Sequence, residues 1–360
     1  MCYHKPILKI GNRNIGSGHP VYLIAEISAN HNGSFEVAAK TMEEAKRAGA
    51  DAVKLQTYTP DTMTLAAKKA PFLIQGGTPW DGQSLHELYQ KAYTPWEWHE
   101  PLFHLAQKLG LDCFSTAFDF SSVDFLEKLR VPVHKVASFE LVDLPLIEKM
   151  AQTGKPLILS TGMATEEEIR SAVATANGAG AKEIALLKCT SAYPAPANTM
   201  HLQTIPDMAR RFNVLVGLSD HTLGSCVPVA AVALGACIVE KHFILSRSSK
   251  GPDSGFSLEP DEFKRMAQDV RSVSEALGKV NYGPTSDEKK SLAFRRSLFV
   301  VAPIKQGEKF TAKNVRSIRP SNGLSPKHYG AILGKEATRE IEAGTPLQWG
   351  DIKDSADLAD

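Results

Sequence analysis

Two neighbouring apolar runs each close on a histidine, Val214-Leu215-Val216-Gly217-Leu218-Ser219-Asp220-His221 and Ala236-Cys237-Ile238-Val239-Glu240-Lys241-His242. Imidazole nitrogens suit first-row divalent cations, so two of them beside acids read as a metal site held by His221 and His242, with Mn2+ expected and Mg2+ the alternative. No thiolate set suggests structural zinc. Lys54, in Lys54-Leu55-Gln56-Thr57, and Lys135, in Lys135-Val136-Ala137-Ser138, lie inside strand-like text. An unpaired ammonium is costly to bury there. With Thr116, Ser138 and Ser160 these lysines compose an anion cradle, two point charges and three hydroxyls, suited to a phosphorylated carboxylate. Two other readings stay open. Each lysine could pair with a strand carboxylate for packing alone, or one of Lys54, Lys135, Lys188 and Lys241 could be a Schiff-base nucleophile. His31, preceded by Asn30, is a candidate for orienting substrate; His99 and His104 lie on a helix and carry no catalytic assignment.

These residues need a scaffold that brings them together. Strand-like runs fall near 21–27, 51–57, 111–116, 133–138, 156–161, 183–190, 214–219 and 236–243, short apolar or β-branched stretches ending in polar residues. Helical spacing separates most of them, as in Phe35, Ala38, Ala39, Met42 and Ala45, or Phe263, Met266, Val270, Val273 and Leu277. Thr165 with Glu168 reads as a capping box. Parallel strands need helical crossovers, and eight repeats favour a closed (β/α)8 TIM barrel over an open doubly wound sheet. In such a barrel both histidines leave adjacent strands at the C-terminal rim, where barrel chemistry resides.

Two regions break the rhythm. The segment from about Pro60 to Pro95 is far longer than an ordinary βα loop and contains Gly76, Gly77, Pro79, Trp80, Asp81 and Gly82, with Trp96 and Trp98 directly after it; it reads as a lid or substrate wall, with packing of the next helix the alternative for Trp96 and Trp98. After the last helix, Asn281-Tyr282-Gly283-Pro284 begins a change of text. The expected organisation is a catalytic barrel over 1–284, a linker at 285–294 and a small domain of short strands at 295–360. A formal charge of +1 on 360 residues gives no support for a nucleic-acid partner. Without a long apolar stretch or a signal-peptide layout, the expected location is the cytoplasm. Cys2, Cys113, Cys189, Cys226 and Cys237 form no Cys-x-x-Cys pair and are expected to be inert and reduced.

An ordered series of motifs resembles the sialic acid synthase family along nearly the whole chain. It comprises Ala-Glu-x-x-x-Asn-His-Asn-Gly at 25–33, Lys-x-Gln-Thr at 54–57, Lys-Val-Ala-Ser at 135–138, Ser-Thr-Gly-Met at 160–163, Ser-Asp-His-Thr at 219–222 and Glu-Lys-His-Phe at 240–243. Gly251-Pro252-Asp253 and Ser257-Leu258-Glu259-Pro260 follow, and the tail resembles the antifreeze-like (SAF) domain through Arg319-Pro320-x-x-Gly323. Within the family the text looks most like the pseudaminate-forming branch, through Glu26-Ile27-Ser28-Ala29-Asn30-His31, Thr78-Pro79-Trp80-Asp81-Gly82, Tyr93-Thr94-Pro95-Trp96-Glu97-Trp98-His99 and Gly251-Pro252-Asp253-Ser254. Ser191 stands where N-acetylneuraminate synthases carry asparagine, which fits a differently substituted sugar.

The resemblance implies condensation of phosphoenolpyruvate with an open-chain 2,4-diacetamido-2,4,6-trideoxy sugar of altrose configuration, yielding pseudaminate and phosphate. It implies phosphoenolpyruvate on Lys54, Thr116, Lys135, Ser138 and Ser160, and a metal on His221 and His242 acting on the sugar aldehyde. Glu26 is the candidate for deprotonating water and Glu140 for stabilising developing positive charge, unless both only orient the lysines. Asn30, Gln56, Tyr193, Asp253 and Arg319 are the expected sugar contacts, Arg319 coming from the small domain of a second subunit in a homodimer with exchanged tails. Rival readings are an N-acetylneuraminate or legionaminate synthase, a Schiff-base pyruvate aldolase, and a sugar- or ice-binding protein.

Overall fold

Buried strands alternating with one-sided helices close into a parallel barrel. In this computed structural model, which describes residues 7–77 and 80–356, the barrel strands are β3 (Tyr22–Glu26), β4 (Ala52–Thr57), β5 (Asp112–Ala117), β6 (His134–Val136), β7 (Leu157–Ser160), β8 (Ile184–Cys189), β9 (Leu215–Asp220) and β10 (Ile238–His242). β10 pairs with both β9 and β3, which closes the ring. Each of the eight predicted runs coincides with one strand, β5 and β9 extending one residue beyond it. Nearly every strand residue is buried, as expected when side chains pack inside the barrel on one face and under helices on the other. Thr78, Pro79 and Cys2, named above, lie outside the described residues.

The helices follow their predicted periodicity. Phe35–Arg47 buries Ala38, Thr41, Met42 and Ala45, and Pro260–Leu277 buries Phe263, Met266, Ala267 and Val270. The Thr165–Glu168 capping box is present, with Thr165 N donating to Glu168 Oε2 at 2.7 Å and Glu168 N to Thr165 Oγ1 at 3.2 Å. An antiparallel hairpin of β1 (Leu8–Ile10) and β2 (Arg13–Ile15) precedes the barrel and was not foreseen. It lies at the strands' N-terminal ends, where Arg13 meets Asp51 and Asp112 and Leu8, Ile10 and Ile15 join the core.

The long 60–95 segment folds as a short helix at Pro60–Met63, a single turn at Ala70–Phe72 and a helix at Leu85–Ala92. Trp96 and Trp98 are packing residues: Trp96 stacks on Phe125 at 4.6 Å between ring centres, and Trp98 meets Phe35 at 5.9 Å.

The chain divides into two compact units after Gly278. Residues 275–291 are exposed throughout, and the stretch expected as linker includes a short 3-10 helix at Glu288–Phe294. The second unit pairs β11 (Ser297–Val300) with β12 (Val315–Ile318) over its own core, built from residues such as Leu298, Val300, Ile304, Phe310, Val315 and Leu347. No helix among the described residues is long and apolar enough to cross a membrane.

Candidate active site

Period-two alternation aims every second residue of a barrel strand at the axis, and at the C-terminal ends that face is ionic. The Lys54 ammonium contacts the Glu26 carboxylate, lies 3.8 Å from Glu240 Oε1 and donates to Thr116 Oγ1 at 3.1 Å. Lys135 Nζ donates to Ser160 Oγ at 2.7 Å and to the Val136 carbonyl at 2.9 Å. Ser138 Oγ accepts from the Gly162 amide at 3.1 Å. A side chain at 162 would collide with that hydroxyl, 2.7 Å from where its Cβ would stand, so glycine is required for the close approach. The predicted cradle residues are thus brought together, with Lys54 only 4% and Lys135 only 1% exposed.

Burial governs the charges. It pushes the Glu26 carboxyl up to about 7 against the opposing pull of Lys54, and Glu140 likewise up to about 7. It lowers Lys135, whereas Glu240 and Glu26 overcome it at Lys54 and raise that ammonium. Glu26 Oε1 and Glu140 Oε2 are buried with no hydrogen-bond partner among the described residues. Such atoms are costly unless something bound completes them.

His221 and His242 meet with ring centres 5.3 Å apart. His221 Nδ1–H donates to the Thr190 carbonyl at 2.9 Å, which fixes the tautomer and leaves Nε2 for a ligand. Burial opposes a charge on His221, but the Cys189 sulfur, the Thr190 carbonyl and Asp220 outweigh it and raise its pKa, so a cation at Nε2 competes with a proton. His242 is driven well below the usual range by burial, then by His221, Lys54 and Lys241; its Nδ1 is buried and unpartnered, 4.0 Å from Asp253 Oδ2. No three His, Cys, Asp or Glu side chains among the described residues form a ready-made metal cage. Two imidazoles with open positions nevertheless fit an ion that completes its shell with water or substrate.

The expected sugar contacts separate. Tyr193 packs on His221 at 4.4 Å and on Phe256 at 5.0 Å between ring centres, and lines a rim cavity of about 870 Å³ together with Trp80, Gln83, Lys91, Gly251 and Phe256. The same two rings touch the histidines, Tyr193 meeting His221 and Phe256 meeting both His221 and His242. Asp253 and Gln56 are joined through a residue that sequence reasoning passed over: Gln56 Nε2 donates to Ser28 Oγ at 2.9 Å, and Ser28 donates to Asp253. Asn30, Gln56 and Asp253 are all absent from that cavity wall, and the Asn30 amide donates to the Phe243 carbonyl at 3.0 Å and to Ser257 Oγ at 2.9 Å. Arg319 belongs to the second compact unit. His31 is a packing residue, not a substrate ligand: it is fully buried, accepts the Gly33 amide on Nδ1 at 3.1 Å and sets its edge against Trp98.

Three further residues were missed. Glu240 accepts from Ser219 at 3.1 Å and faces both lysines; its position two before His242 was the available signal, because it puts both on one strand face. Cys189, expected to be inert, lies 3.9 Å from His221 Nδ1. Phe256, edge-on to His242 at 4.9 Å, carried no signal.

Known proteins resemble the chain along most of its length. The NeuB family profile matches residues 41–282, and the SAF domain profile residues 295–353. The pseudaminic acid synthase of Helicobacter pylori is 47% identical over 338 residues, covering 93% of this chain and 99% of that protein. The N,N'-diacetyllegionaminic acid synthase of Campylobacter jejuni is 40% identical over 324 residues, 89% of this chain and 96% of that protein. Among solved structures, the N-acetylneuraminic acid synthetase of Leptospira borgpetersenii, in complex with citrate, superposes with a TM-score of 0.72 at 29% identity, over 80% of this chain and 95% of that one.

Proposed function

The chain belongs to the NeuB family and carries a SAF domain, and from that membership we propose that it makes pseudaminate. Phosphoenolpyruvate, 2,4-diacetamido-2,4,6-trideoxy-β-L-altropyranose in its open-chain form, and water give pseudaminate and phosphate. The choice of sugar is supported by 47% identity to a pseudaminic acid synthase against 40% to a legionaminic acid synthase. For the chemistry, the carrying observation is that Lys54 and Lys135, all but fully buried, both act electrostatically on Glu26 and Glu140, whose Oε1 and Oε2 find no hydrogen-bond partner among the described residues.

In this reading Lys54 and Lys135, with Thr116, Ser138 and Ser160, hold the phosphate and carboxylate of phosphoenolpyruvate. C3 of the enol attacks the aldehyde carbon, leaving C2 electron-poor. Glu26 takes a proton from water as the oxygen adds to C2 and returns it to the alkoxide left on the former aldehyde carbon; a base poised near neutrality suits that task. Glu140 faces the positive charge developing at C2. The C2 hydroxyl then gives its proton to the phosphate, which leaves with its bridging oxygen as the C–O bond breaks and the C2 ketone forms. Dependence on a divalent metal goes with the family. His221 and His242 would hold the ion, Mn2+ or Mg2+, which when bound supplies Lewis-acid polarisation of the aldehyde oxygen. Asp253, Gln56 and Tyr193 orient the sugar, whose acetamido groups extend into the rim cavity.

We also propose a homodimer in which the small domain of one protomer, including Arg319, serves the barrel of the other, the organisation being barrel 1–284, linker 285–294 and SAF domain 295–360. Supporting this, Phe139, Val142, Met163 and Leu223 on loops leaving the C-terminal strand ends, and Phe120 at the start of the helix after β5, are all exposed, a concentration of apolar surface that calls for a cover. The function is tested by following phosphate release with the pseudaminate, legionaminate and N-acetylneuraminate precursors side by side. The altrose-configured diacetamido sugar should give the highest kcat/KM; preference for either rival sugar would reassign the substrate.

A further inference from the structure

Behind the histidines lies a second set of groups that the reaction does not use. Alternation sends Ser219, His221, Glu240 and His242 toward the barrel axis and Asp220 and Lys241 toward the surrounding helices. There Lys241 Nζ lies 2.5 Å from Asp220 Oδ2, with neither side chain exposed. A buried ion pair is a poor stabiliser, because desolvation consumes the Coulombic gain and an apolar pair of similar volume does as well or better. Its presence here needs another reason, and its remaining bonds supply one. Asp220 Oδ1 accepts the Thr222 amide at 2.9 Å, Asp220 Oδ2 accepts the Thr222 hydroxyl at 2.9 Å, and the Lys241 ammonium donates to the Thr222 carbonyl. All the polar groups of Thr222 are therefore held, and the turn carrying His221 is clamped from β9 and β10 at once. Lys241 is also the residue immediately before His242.

We propose that Asp220 and Lys241 are positioning residues for the two imidazoles. The pair locks the end of β9 to the end of β10 so that His221 and His242 keep the separation that a single divalent ion requires. Outer groups that orient metal ligands commonly change metal affinity by about 10–100-fold when removed, and a clamp shared by both ligand-bearing strands belongs in that range. The inference rests on the reading that His221 and His242 hold the ion.

The test is Mn2+ binding to the full-length protein by electron paramagnetic resonance, with thermal unfolding of the metal-free protein measured beside it. The double variant Asp220→Leu/Lys241→Met removes both charges together and so avoids stranding either one. It should unfold near the wild-type temperature yet bind Mn2+ about 10–100-fold more weakly, and its kcat should recover at high Mn2+. Thr222→Val, a milder change that deletes one hydrogen bond, should weaken Mn2+ several-fold, about what one such bond contributes. Wild-type affinity in both variants would overturn the clamp. Failure of the wild-type protein to bind Mn2+, or undiminished binding by His221→Ala, would overturn the metal reading itself and the clamp with it.

Discussion

Lys135 and Ser160 touch each other at 2.7 Å, yet their replacement should have unequal consequences for phosphoenolpyruvate. A hydrogen bond to a charged group contributes about 1.5–3 kcal/mol, and Lys135 adds to such a bond the attraction of a buried unit charge that the Ser160 hydroxyl lacks. Lys135→Met should therefore raise the Kd for phosphoenolpyruvate about 100-fold or more, and Ser160→Ala only about 10-fold. Glu240 sharpens the contrast, because without Lys135 its carboxylate keeps Lys54, 3.8 Å away, and pushes against the incoming anion. Titration calorimetry with phosphoenolpyruvate alone reads both variants directly. Equal losses would mean that the cradle selects its ligand by shape and hydroxyl contacts, not by charge.

Barrel strands were legible because each is a continuous apolar run that burial on both faces demands, and the histidines and lysines ending those runs could be assigned to one rim. The hairpin of β1 and β2 was not, since three residues per strand are too few for alternation to show. Nor could spacing reveal the link from Gln56 through Ser28 to Asp253, whose two ends of the Ser28–Asp253 bond lie 225 positions apart. Histidine type alone was ambiguous as well. His31 looked like a substrate ligand beside Asn30 and is instead one of two neutral imidazoles packing the helix over His99–Leu109 and its approach against the barrel. His31 accepts the Gly33 amide, and His99 Nε2 accepts the Thr57 hydroxyl at 2.7 Å while Nδ1–H donates to the Pro95 carbonyl at 3.3 Å. Burial lowers both from 6.5 to about 4. Folded pKa values below the unfolded ones mean that the unfolded chain binds more protons in that window, so stability is full above pH 6.5 and is lost as pH falls toward 4. Each ring should cost roughly 3 kcal/mol across the window. Urea unfolding at pH 7 and pH 4.5 should show His99→Gln losing less stability on acidification than the wild type; identical losses would mean that His99 already titrates normally.

At the scale of the molecule, a barrel and a small domain that fold around separate cores can be assorted independently, which makes the proposed exchange of tails testable by complementation. In the exchanged dimer each site takes its histidines from one chain and Arg319 from the other. A His221→Ala chain and an Arg319→Ala chain, each nearly inactive alone when assayed at sugar far below the raised KM, then form mixed dimers in which one site inherits both defects and the other inherits neither. Random pairing makes about half of the dimers mixed, so unfolding and refolding the two variants together should recover about a quarter of wild-type activity. If each small domain served its own barrel, every site in every pairing would retain one defect and mixing would recover nothing. Arg319→Ala alone separates the substrates in the same framework: loss of a group reaching the sugar from the SAF domain should raise the sugar KM more than the phosphoenolpyruvate KM, because in the proposed cradle the anion contacts come from Lys54 and Lys135 of the barrel itself. The reverse order would place Arg319 beside the phosphate, and a second subunit would then be completing the cradle instead of the sugar site.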